Sequence, residues 1–265
     1  MNIVLTIAGS DTSAGAGIQQ DLKTITALGA YGATVITALT SQNTIGVQGV
    51  MAVPEDVVNS QIDSVLSDLD VKAIKIGQIP NADVAHAIAT SLTTYYHTKK
   101  VLLPLVYDPV MISTSGRRLM SPDSIFTIQS ELFPICTLIT PNIPEAEHLL
   151  GRELLCKGDI EEAGEELVSL YGTNFLIKGG HAEGDVMTDH LFTVRGEMHE
   201  FHSQKVDSKN LHGTGCTLSS AIACHLAEGK SLVQSVEEAK QFVTEAIKGG
   251  CALNIGKGNG PLWNF

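Results

Sequence analysis

Short runs of β-branched and other apolar residues alternate with amphipathic stretches along most of the chain. The apolar runs include NIVLTIA, GATVITAL, VKAIKIG, VLLPLVYDPV, LITPN and NFLIKGG, and stretches such as IQQDLKTITALG and PEDVVNSQIDSVLSDL lie between them. Strands that alternate with helices form a largely parallel sheet covered by helices. Ligands of such α/β folds bind beyond the carboxyl ends of the strands. Motifs at strand ends are therefore the first candidates for a functional site.

Local patterns mark individual elements. Ile18, Leu22, Ile25 and Leu28 share one helical face, and Gly29 follows as a stop signal. Prolines predict two further helix starts, near Pro54 and Pro122. The segment HLFTVRGEMHEFHSQKV alternates like a β-hairpin with RGE as its turn. We therefore expect a strand pair there rather than a separate domain.

The chain length and charge limit the classes of protein. No linker, repeat or low-complexity tract interrupts the 265 residues, so we expect one domain over 1–265. Lysine and arginine number 17 against 29 acidic residues, which gives a formal net charge of -12. Nucleic-acid partners are disfavoured because the charge has the wrong sign. A phosphate-bearing ligand would need local devices such as helix N-termini, a few lysines and a metal ion.

Cysteine usage and hydropathy bear on the compartment. The five cysteines include no CxxC pair and no paired Cys/His spacing, which argues against both a disulfide framework and a zinc site. The N-terminus lacks a basic region and a cleavage site, and no window holds about 18 uninterrupted apolar residues. We expect a cytoplasmic protein with reduced thiols and no membrane partner.

The glycine-rich stretch AGSDTSAGAGIQQDLKT follows an apolar strand and precedes a helix. It is not a P-loop, because Gly17 is followed by Ile18 and Gln19 rather than by Lys and Ser or Thr. It is not a dinucleotide fingerprint either, since the third glycine is replaced by Gln20 and no acidic residue follows at the required distance. A tight turn without a ligand remains an alternative, because glycines also serve positions with positive φ.

Oxygen ligands stand at the ends of two later strands. Asp108 lies within VYDPV, at the end of one strand. Asn142 and Glu145 lie within TPNIPEAEHLLG, at the end of another. Such oxygens suit Mg²⁺, with water and nucleotide phosphates completing its shell. Asp108 could instead be a turn former before Pro109, and Asn142 could be only a helix cap.

Lys178 ends the buried strand NFLIKGG at a Gly-Gly turn, where its ammonium could meet a nucleotide phosphate. A merely exposed lysine is the alternative. The histidines show no metal-ligand spacing, and only His212, inside a glycine-rich turn, stands out.

The stretch LHGTGCTLSSAIACHLAEG places Gly213, Thr214, Gly215 and Cys216 at the start of a predicted helix. Successive backbone N–H groups at a helix start form an anion hole. The same helix start would lower the pKa of the Cys216 thiol, so we expect a partial thiolate that could accept a proton from an attacking hydroxyl. A small buried filler is the alternative reading of Cys216, and it is the preferred one for Cys136 and Cys224.

Taken together, these motifs resemble the ribokinase superfamily and, within it, the vitamin-kinase branch. The motifs that carry the resemblance are AGSDTSAGAGIQQDLKT, GAYGATVITALTSQNTIGVQGV, VYDPVM, TPNIPEAEHL, IKGGH and HGTGCTLSSAIA, which together span nearly the whole chain. The resemblance implies a ribokinase-like three-layer sandwich with a mostly parallel central sheet and helices on both faces. It also implies a homodimer.

The resemblance further implies an activity in thiamine biosynthesis. Members of this branch phosphorylate the hydroxymethyl group of 4-amino-5-hydroxymethyl-2-methylpyrimidine with Mg²⁺ and ATP, and then phosphorylate the resulting ester to the diphosphate. The sugar kinases of the superfamily have an aspartate where this chain has Cys216. The thiol is therefore expected where the acceptor hydroxyl is held or deprotonated.

Residue roles follow from the same likeness. The substrate-binding positions it implies are Gly9, Asp21, Gln42 and Gln78, where Gln78 replaces a methionine usual in the family. Asp108 and Glu145 are implied on the metal side. Asn142, Lys178 and Lys240 are implied on the nucleotide side, together with Asp108. Leu211 stands where a threonine is usual.

Two other functions remain open. A pyridoxal or pyridoxine kinase of the same branch shares most of these motifs, although the SQNT segment favours the pyrimidine. A non-catalytic ligand-binding relative is also possible on this fold, but the joint presence of Asp108, Glu145, Lys178 and Cys216 argues against it.

Overall fold

The computed structural model describes residues 1–111, 120–179 and 185–265. Within these ranges nine strands and eight α-helices follow one another: β1 (Ile3–Asp11), α1 (Gly17–Ala27), β2 (Tyr31–Asn43), β3 (Gly46–Ala52), α2 (Glu55–Asp68), β4 (Val71–Ile76), α3 (Ala82–Lys99), β5 (Leu105–Tyr107), α4 (Pro122–Thr127), β6 (Leu138–Ile139), α5 (Ile143–Leu150), α6 (Lys157–Tyr171), β7 (Asn174–Ile177), β8 (Val186–Phe192), β9 (Met198–Gln204), α7 (Thr214–Ala227) and α8 (Leu232–Gly250). A π-helical turn at Ile128–Leu132 and a 3₁₀ turn at Phe133–Ile135 follow α4.

All nine strands belong to one sheet in the order β3-β2-β1-β4-β5-β6-β7-β8-β9. The six strands from β2 to β7 in this order pair in parallel. Strand β3 pairs antiparallel with β2 at one edge, and β8 and β9 continue antiparallel at the other. The predicted mostly parallel α/β sheet is confirmed.

Helices cover both faces because the central strands are apolar on both sides. On β1, Leu5 and Ile7 join a core with α2, α3, α5 and α6, whereas Val4 joins a second core with α1, α7 and α8. This alternation follows the two-residue period of a strand. The three-layer arrangement brings the carboxyl ends of β1, β4, β5, β6 and β7 to one edge of the sheet.

The local predictions hold at most positions. The β8–β9 pair is the expected hairpin, with Gly196 at φ +79° in its turn. Helix α4 begins at Pro122, and Pro54 directly precedes α2. All five cysteines are free. Within the described residues, no helix is long and apolar enough to span a membrane.

Candidate active site

The first glycine-rich loop connects β1 to α1 and folds around the carboxylate of Asp11. Asp11 accepts hydrogen bonds from the backbone N–H groups of Ser13 at 2.8 Å, Gly15 at 3.1 Å and Ala16 at 2.9 Å. The loop therefore directs these N–H groups at its own acid rather than at a bound phosphate. Gly17 has φ +60°, and a Cβ there would lie 2.3 Å from the Gly9 carbonyl oxygen. Only glycine fits this position without strain.

The second glycine-rich turn packs directly on the first loop. His212 Nε2 lies 2.9 Å from Asp11 Oδ2, and Gly213, at φ +90°, would place a Cβ 2.0 Å from the Gly15 carbonyl oxygen. Burial alone would raise the pKa of Asp11, but hydrogen bonds from His212 and Ser13 outweigh it and hold the pKa below its usual value. The Asp11 carboxylate therefore fixes the two loops against each other.

The start of α7 is where the predicted anion hole lies. Gly213 directly precedes the helix, and among the described residues no side chain caps this helix start. A Cβ on Gly215 would lie 3.0 Å from Asp108 Oδ2 and 3.4 Å from Lys178 Nζ. Since the first turn of a helix presents unpaired N–H groups, this site brings backbone donors, an acid and a lysine together.

Asp108 and Lys178 form an ion pair at the ends of β5 and β7. Lys178 Nζ lies 2.7 Å from Asp108 Oδ1, and Thr140 donates a hydrogen bond to the same oxygen at 3.3 Å. Burial lowers the pKa of Lys178, but Asp108 and Glu145 outweigh it and raise the pKa above its usual value. The lysine is therefore an ammonium at neutral pH, directed into the site rather than into solvent.

Asn142 and Glu145 form a reciprocal cap at the start of α5. The Asn142 side chain accepts from the Glu145 N–H at 2.8 Å, and the Glu145 carboxylate accepts from the Asn142 N–H at 2.8 Å. The alternative reading of Asn142 as a helix cap is thus correct. Burial raises the pKa of Glu145 to about 7; Lys178 opposes this rise and Asp108 adds to it. A cation at this carboxylate would relieve the accumulated negative charge.

Cys216 departs from the sequence expectation. Burial raises the pKa of its thiol to about 11, although Lys75 and the Gly17 N–H lower it and Asp21 and Asp108 raise it further. The predicted partial thiolate is therefore wrong. The desolvation of this half-buried thiol outweighs the stabilisation of the thiolate by Lys75 and the Gly17 N–H.

The predicted role of Asp21 in binding the substrate is also wrong. Its side chain is fully buried and accepts hydrogen bonds from Lys75 Nζ at 2.9 and 2.8 Å, Thr6 Oγ1 at 2.6 Å and Ser220 Oγ at 2.8 Å. These donors occupy both carboxylate oxygens, so Asp21 cannot bind the pyrimidine from this position. Instead it joins α1 to β4, β1 and α7 beneath the site.

The other predicted substrate residues lie near the two loops. Gln42, half-buried on β2, places Nε2 3.1 Å from His212 Nε2. Gly9 and Gln78 touch each other, since a Cβ on Gly9 would lie 2.2 Å from Gln78 Oε1. The structure therefore brings Gln42 to His212 of the second loop and Gln78 to Gly9 at the end of β1.

Lys240 lies near Lys178, and its predicted place on the nucleotide side stays a prediction. Its Nζ is buried 2.7 Å from Asp189 Oδ2, and Asp189 Oδ1 accepts from the Gly179 N–H at 3.0 Å. The Lys240 ammonium thus pairs with Asp189, and Asp189 in turn holds the backbone at Gly179, next to Lys178.

A cavity of 450 Å³ between β9 and α8 is lined in part by Lys240, Gln204 and Thr244. Gly180 and His181 of the IKGGH motif lie outside the described residues.

Sequence reasoning missed three residues that support the site, which are Lys75, Asp11 and Asp189. Lys75 carried a usable signal, because a lysine inside the apolar run VKAIKIG of a central strand needs a buried partner. No local spacing identified that partner. Asp11 and Asp189 carried no comparable signal.

A mostly parallel sheet covered by helices, with the start of α7, Asp108 and Lys178 together at its carboxyl edge, is the ribokinase-like arrangement that the motifs predict. Residues 11–263 match the family model described as phosphomethylpyrimidine kinase. This chain belongs to that family and is a phosphotransferase.

Curated relatives agree with this assignment. The chain is 44% identical over 266 residues to a hydroxymethylpyrimidine/phosphomethylpyrimidine kinase of Rhizobium meliloti, covering 99% of this chain and 97% of that protein. It is also 44% identical over 259 residues to a thiamine biosynthesis bifunctional protein of Geobacter sulfurreducens. That match covers 98% of this chain but spans only 51% of the bifunctional protein.

Solved structures extend the comparison. A phosphomethylpyrimidine kinase from Clostridium difficile is similar at TM-score 0.80 and 39% identity, covering 93% of this chain and 100% of that one. A Bacillus subtilis pyridoxal kinase, solved as an ADP complex, is similar at TM-score 0.88 and 31% identity, covering 100% of this chain and 97% of that one. The predicted family and fold are confirmed.

We predict that Lys75→Met lowers the free energy of unfolding by about 3–5 kcal/mol, because it leaves the Asp21 carboxylate buried without its charge partner. Lys72→Met is the matched control. Lys72 also pairs with an aspartate at 2.7 Å, but the two side chains are 45% and 80% exposed, so a loss of about 1 kcal/mol or less is expected. Urea denaturation of both variants measures the difference. Equal losses would contradict a stabilising buried pair, and adding Asp21→Asn to Lys75→Met should restore part of the loss.

Proposed function

We propose that this chain transfers the γ-phosphoryl group of ATP to the hydroxymethyl group of 4-amino-5-hydroxymethyl-2-methylpyrimidine and then to the resulting phosphate ester. The single observation that carries this proposal is the meeting of Gly215, Asp108 and Lys178 at the start of α7. The names of the relatives supply the substrate and the thiamine context. Structures of a Staphylococcus aureus pyridoxal kinase in complex with ADP and with the ATP analogue AMP-PCP support the nucleotide.

Charge and positioning account for most of the catalysis. Phosphoryl transfer passes through a loose transition state whose charge spreads over the phosphoryl oxygens. The N–H groups of Gly215 and Cys216 and the ammonium of Lys178 would stabilise that charge. Lys178 remains charged at neutral pH because its acidic neighbours raise its pKa.

Cys216 orients the acceptor in this account. A thiol whose pKa is about 11 is neutral at pH 7, so it cannot take a proton in the resting site. It can hold the hydroxymethyl oxygen by a hydrogen bond against the start of α7. In a loose transition state the hydroxyl proton leaves late, so early deprotonation is not required.

The acidic groups fit a magnesium ion. Burial, and after it the nearby charge of Asp108, raises the pKa of Glu145 to about 7 against the opposing effect of Lys178, so a cation beside these carboxylates would favour the ionised form of Glu145. Among the described residues, no cluster of three or more His, Cys, Asp or Glu side chains forms a complete metal cage. Mg²⁺ commonly takes only one or two carboxylates plus water and phosphates. When bound, the ion would neutralise phosphate charge.

Pyridoxal is the second candidate substrate. The TM-score of 0.88 to a pyridoxal kinase exceeds the 0.80 to a phosphomethylpyrimidine kinase, although the sequence identities rank in the opposite order. Both substrates are aromatic alcohols, so the same anion hole would serve either. A direct assay distinguishes them.

We predict that the purified protein with Mg²⁺ and ATP converts hydroxymethylpyrimidine to its monophosphate and then to the diphosphate, with a higher kcat/KM than for pyridoxal. Mass spectrometry of the products measures both steps. Excess EDTA should abolish turnover, and Glu145→Gln should raise the Mg²⁺ concentration needed for half-maximal activity. Preference for pyridoxal, or full activity in EDTA, would contradict the assignment.

We also propose that the protein is a cytoplasmic homodimer, in which β3 contacts a second copy. Strand β3 is an edge of the sheet, and the large apolar side chains of Ile45 and Met51 on its hairpin are 66% and 59% exposed. Unpaired sheet edges with apolar side chains favour association. Sedimentation velocity should give twice the mass of one chain, and Met51→Lys should shift the protein toward the monomer. A wild-type monomer at micromolar concentration would contradict the proposal.

A further inference from the structure

Gln78 lies at the ligand edge of the sheet, directly after β4. Its backbone carbonyl accepts a hydrogen bond from Thr37 Oγ1 at 2.6 Å, which fixes the chain at this point. Its side chain is only 9% exposed and crosses the end of β1 at Gly9. A Cβ at Gly9 would lie 2.2 Å from Gln78 Oε1, so the end of the glutamine side chain packs directly against Gly9.

Direct contacts connect Gln78 to the thiol of the site. Gln78 touches Gly9, and the Gly9 carbonyl oxygen lies 2.3 Å from where a Cβ of Gly17 would stand. The Gly17 N–H in turn lies close enough to the Cys216 thiol to lower its pKa. The amide of Gln78 is thus separated from Cys216 by two glycines. In the proposed function, the aromatic ring of the substrate must lie close to this thiol.

The amide nitrogen of Gln78 is buried and has no hydrogen-bond partner among the described residues. Gln20 shows the usual arrangement, since its buried amide nitrogen donates to Thr217 Oγ1 at 2.9 Å and to Asn264 Oδ1 at 3.1 Å. Buried donors are rarely left unpaired because each costs desolvation free energy. The terminal torsion of glutamine is broad, so the amide can rotate to present its N–H group to a ligand.

We infer that Gln78 is a specificity-determining residue, whose amide N–H group donates a hydrogen bond to an in-plane acceptor, a ring nitrogen, of the aromatic substrate. This inference rests on the proposed function for the position of the ring. It assigns to Gln78 a role that a hydrocarbon or thioether side chain cannot fill. A substrate with carbon in place of that nitrogen leaves the amide unpaired.

A chemical double-mutant cycle tests this role. Calorimetry gives the dissociation constants of wild type and Gln78→Met for hydroxymethylpyrimidine and for its two analogues in which one ring nitrogen is replaced by C–H. For one analogue, wild type should bind about tenfold more weakly than it binds the parent. Gln78→Met should show a loss of about twofold at most for the same exchange. Equal losses in both proteins for both analogues would overturn the inference, because a packing role alone produces no such coupling.

Gln234→Met is the matched control. Gln234 is a glutamine on α8 whose side chain bonds only Glu238 among the described residues, at 2.8 Å, so its losses should equal those of wild type. If Gln78→Met fails to fold, Gln78→Leu provides the same cycle. Phosphorylation is measured separately from binding. If wild type binds the pyrimidine without phosphorylating it, the proposed function is contradicted, but the binding constants still test the role of Gln78. If wild type binds none of the three ligands, both the proposed function and the role of Gln78 are overturned.

Discussion

The buried ion pair between Asp21 and Lys75 is the interaction on which the site depends. It joins α1 to β4, and through Thr6 and Ser220 it reaches β1 and α7 as well. Burial lowers the pKa of Lys75, but the charge of Asp21 is the main effect that outweighs it and raises the pKa above its usual value. The ammonium therefore stays charged with no exposure to water. The elements that carry both glycine-rich turns are thus held by one fully desolvated charge pair.

Above this pair, the geometry leaves little freedom to either turn. Asp11 bonds the N–H groups of the first loop and His212 of the second, and Gly213 approaches the Gly15 carbonyl too closely for any side chain. The start of α7 is consequently fixed in front of Asp108 and Lys178. In a chain of net charge -12, the backbone donors at the start of α7 and the Lys178 ammonium are the local groups suited to an incoming phosphate.

Sequence patterns predicted the sheet, its helices on both faces, the β8–β9 hairpin and the meeting of strand-end residues. These follow from periodicity and from the rule that parallel strands share a carboxyl edge, and the resemblance of the motifs to a known kinase family indicated which edge residues matter. The environments of Asp21 and Lys240 could not be predicted, because their partners Lys75 and Asp189 lie 54 and 51 residues away in the chain. Sequence spacing does not reveal which buried charges meet. The prediction of a low pKa for the Cys216 thiol was wrong for a related reason. A helix start can be recognised in the sequence, but the desolvation of a side chain cannot.

The central claim is that Cys216 is a neutral thiol that holds the acceptor, and that charge stabilisation by α7 and Lys178 performs the transfer. The most direct test is the rate of Cys216 alkylation by iodoacetamide as a function of pH, read at that residue by mass spectrometry. Because the thiolate is the reactive form, a thiol of pKa about 11 should react about tenfold faster for each pH unit between pH 7 and pH 10, without a plateau. A rate that levels off below pH 8 would show a thiolate at neutral pH and would contradict this account.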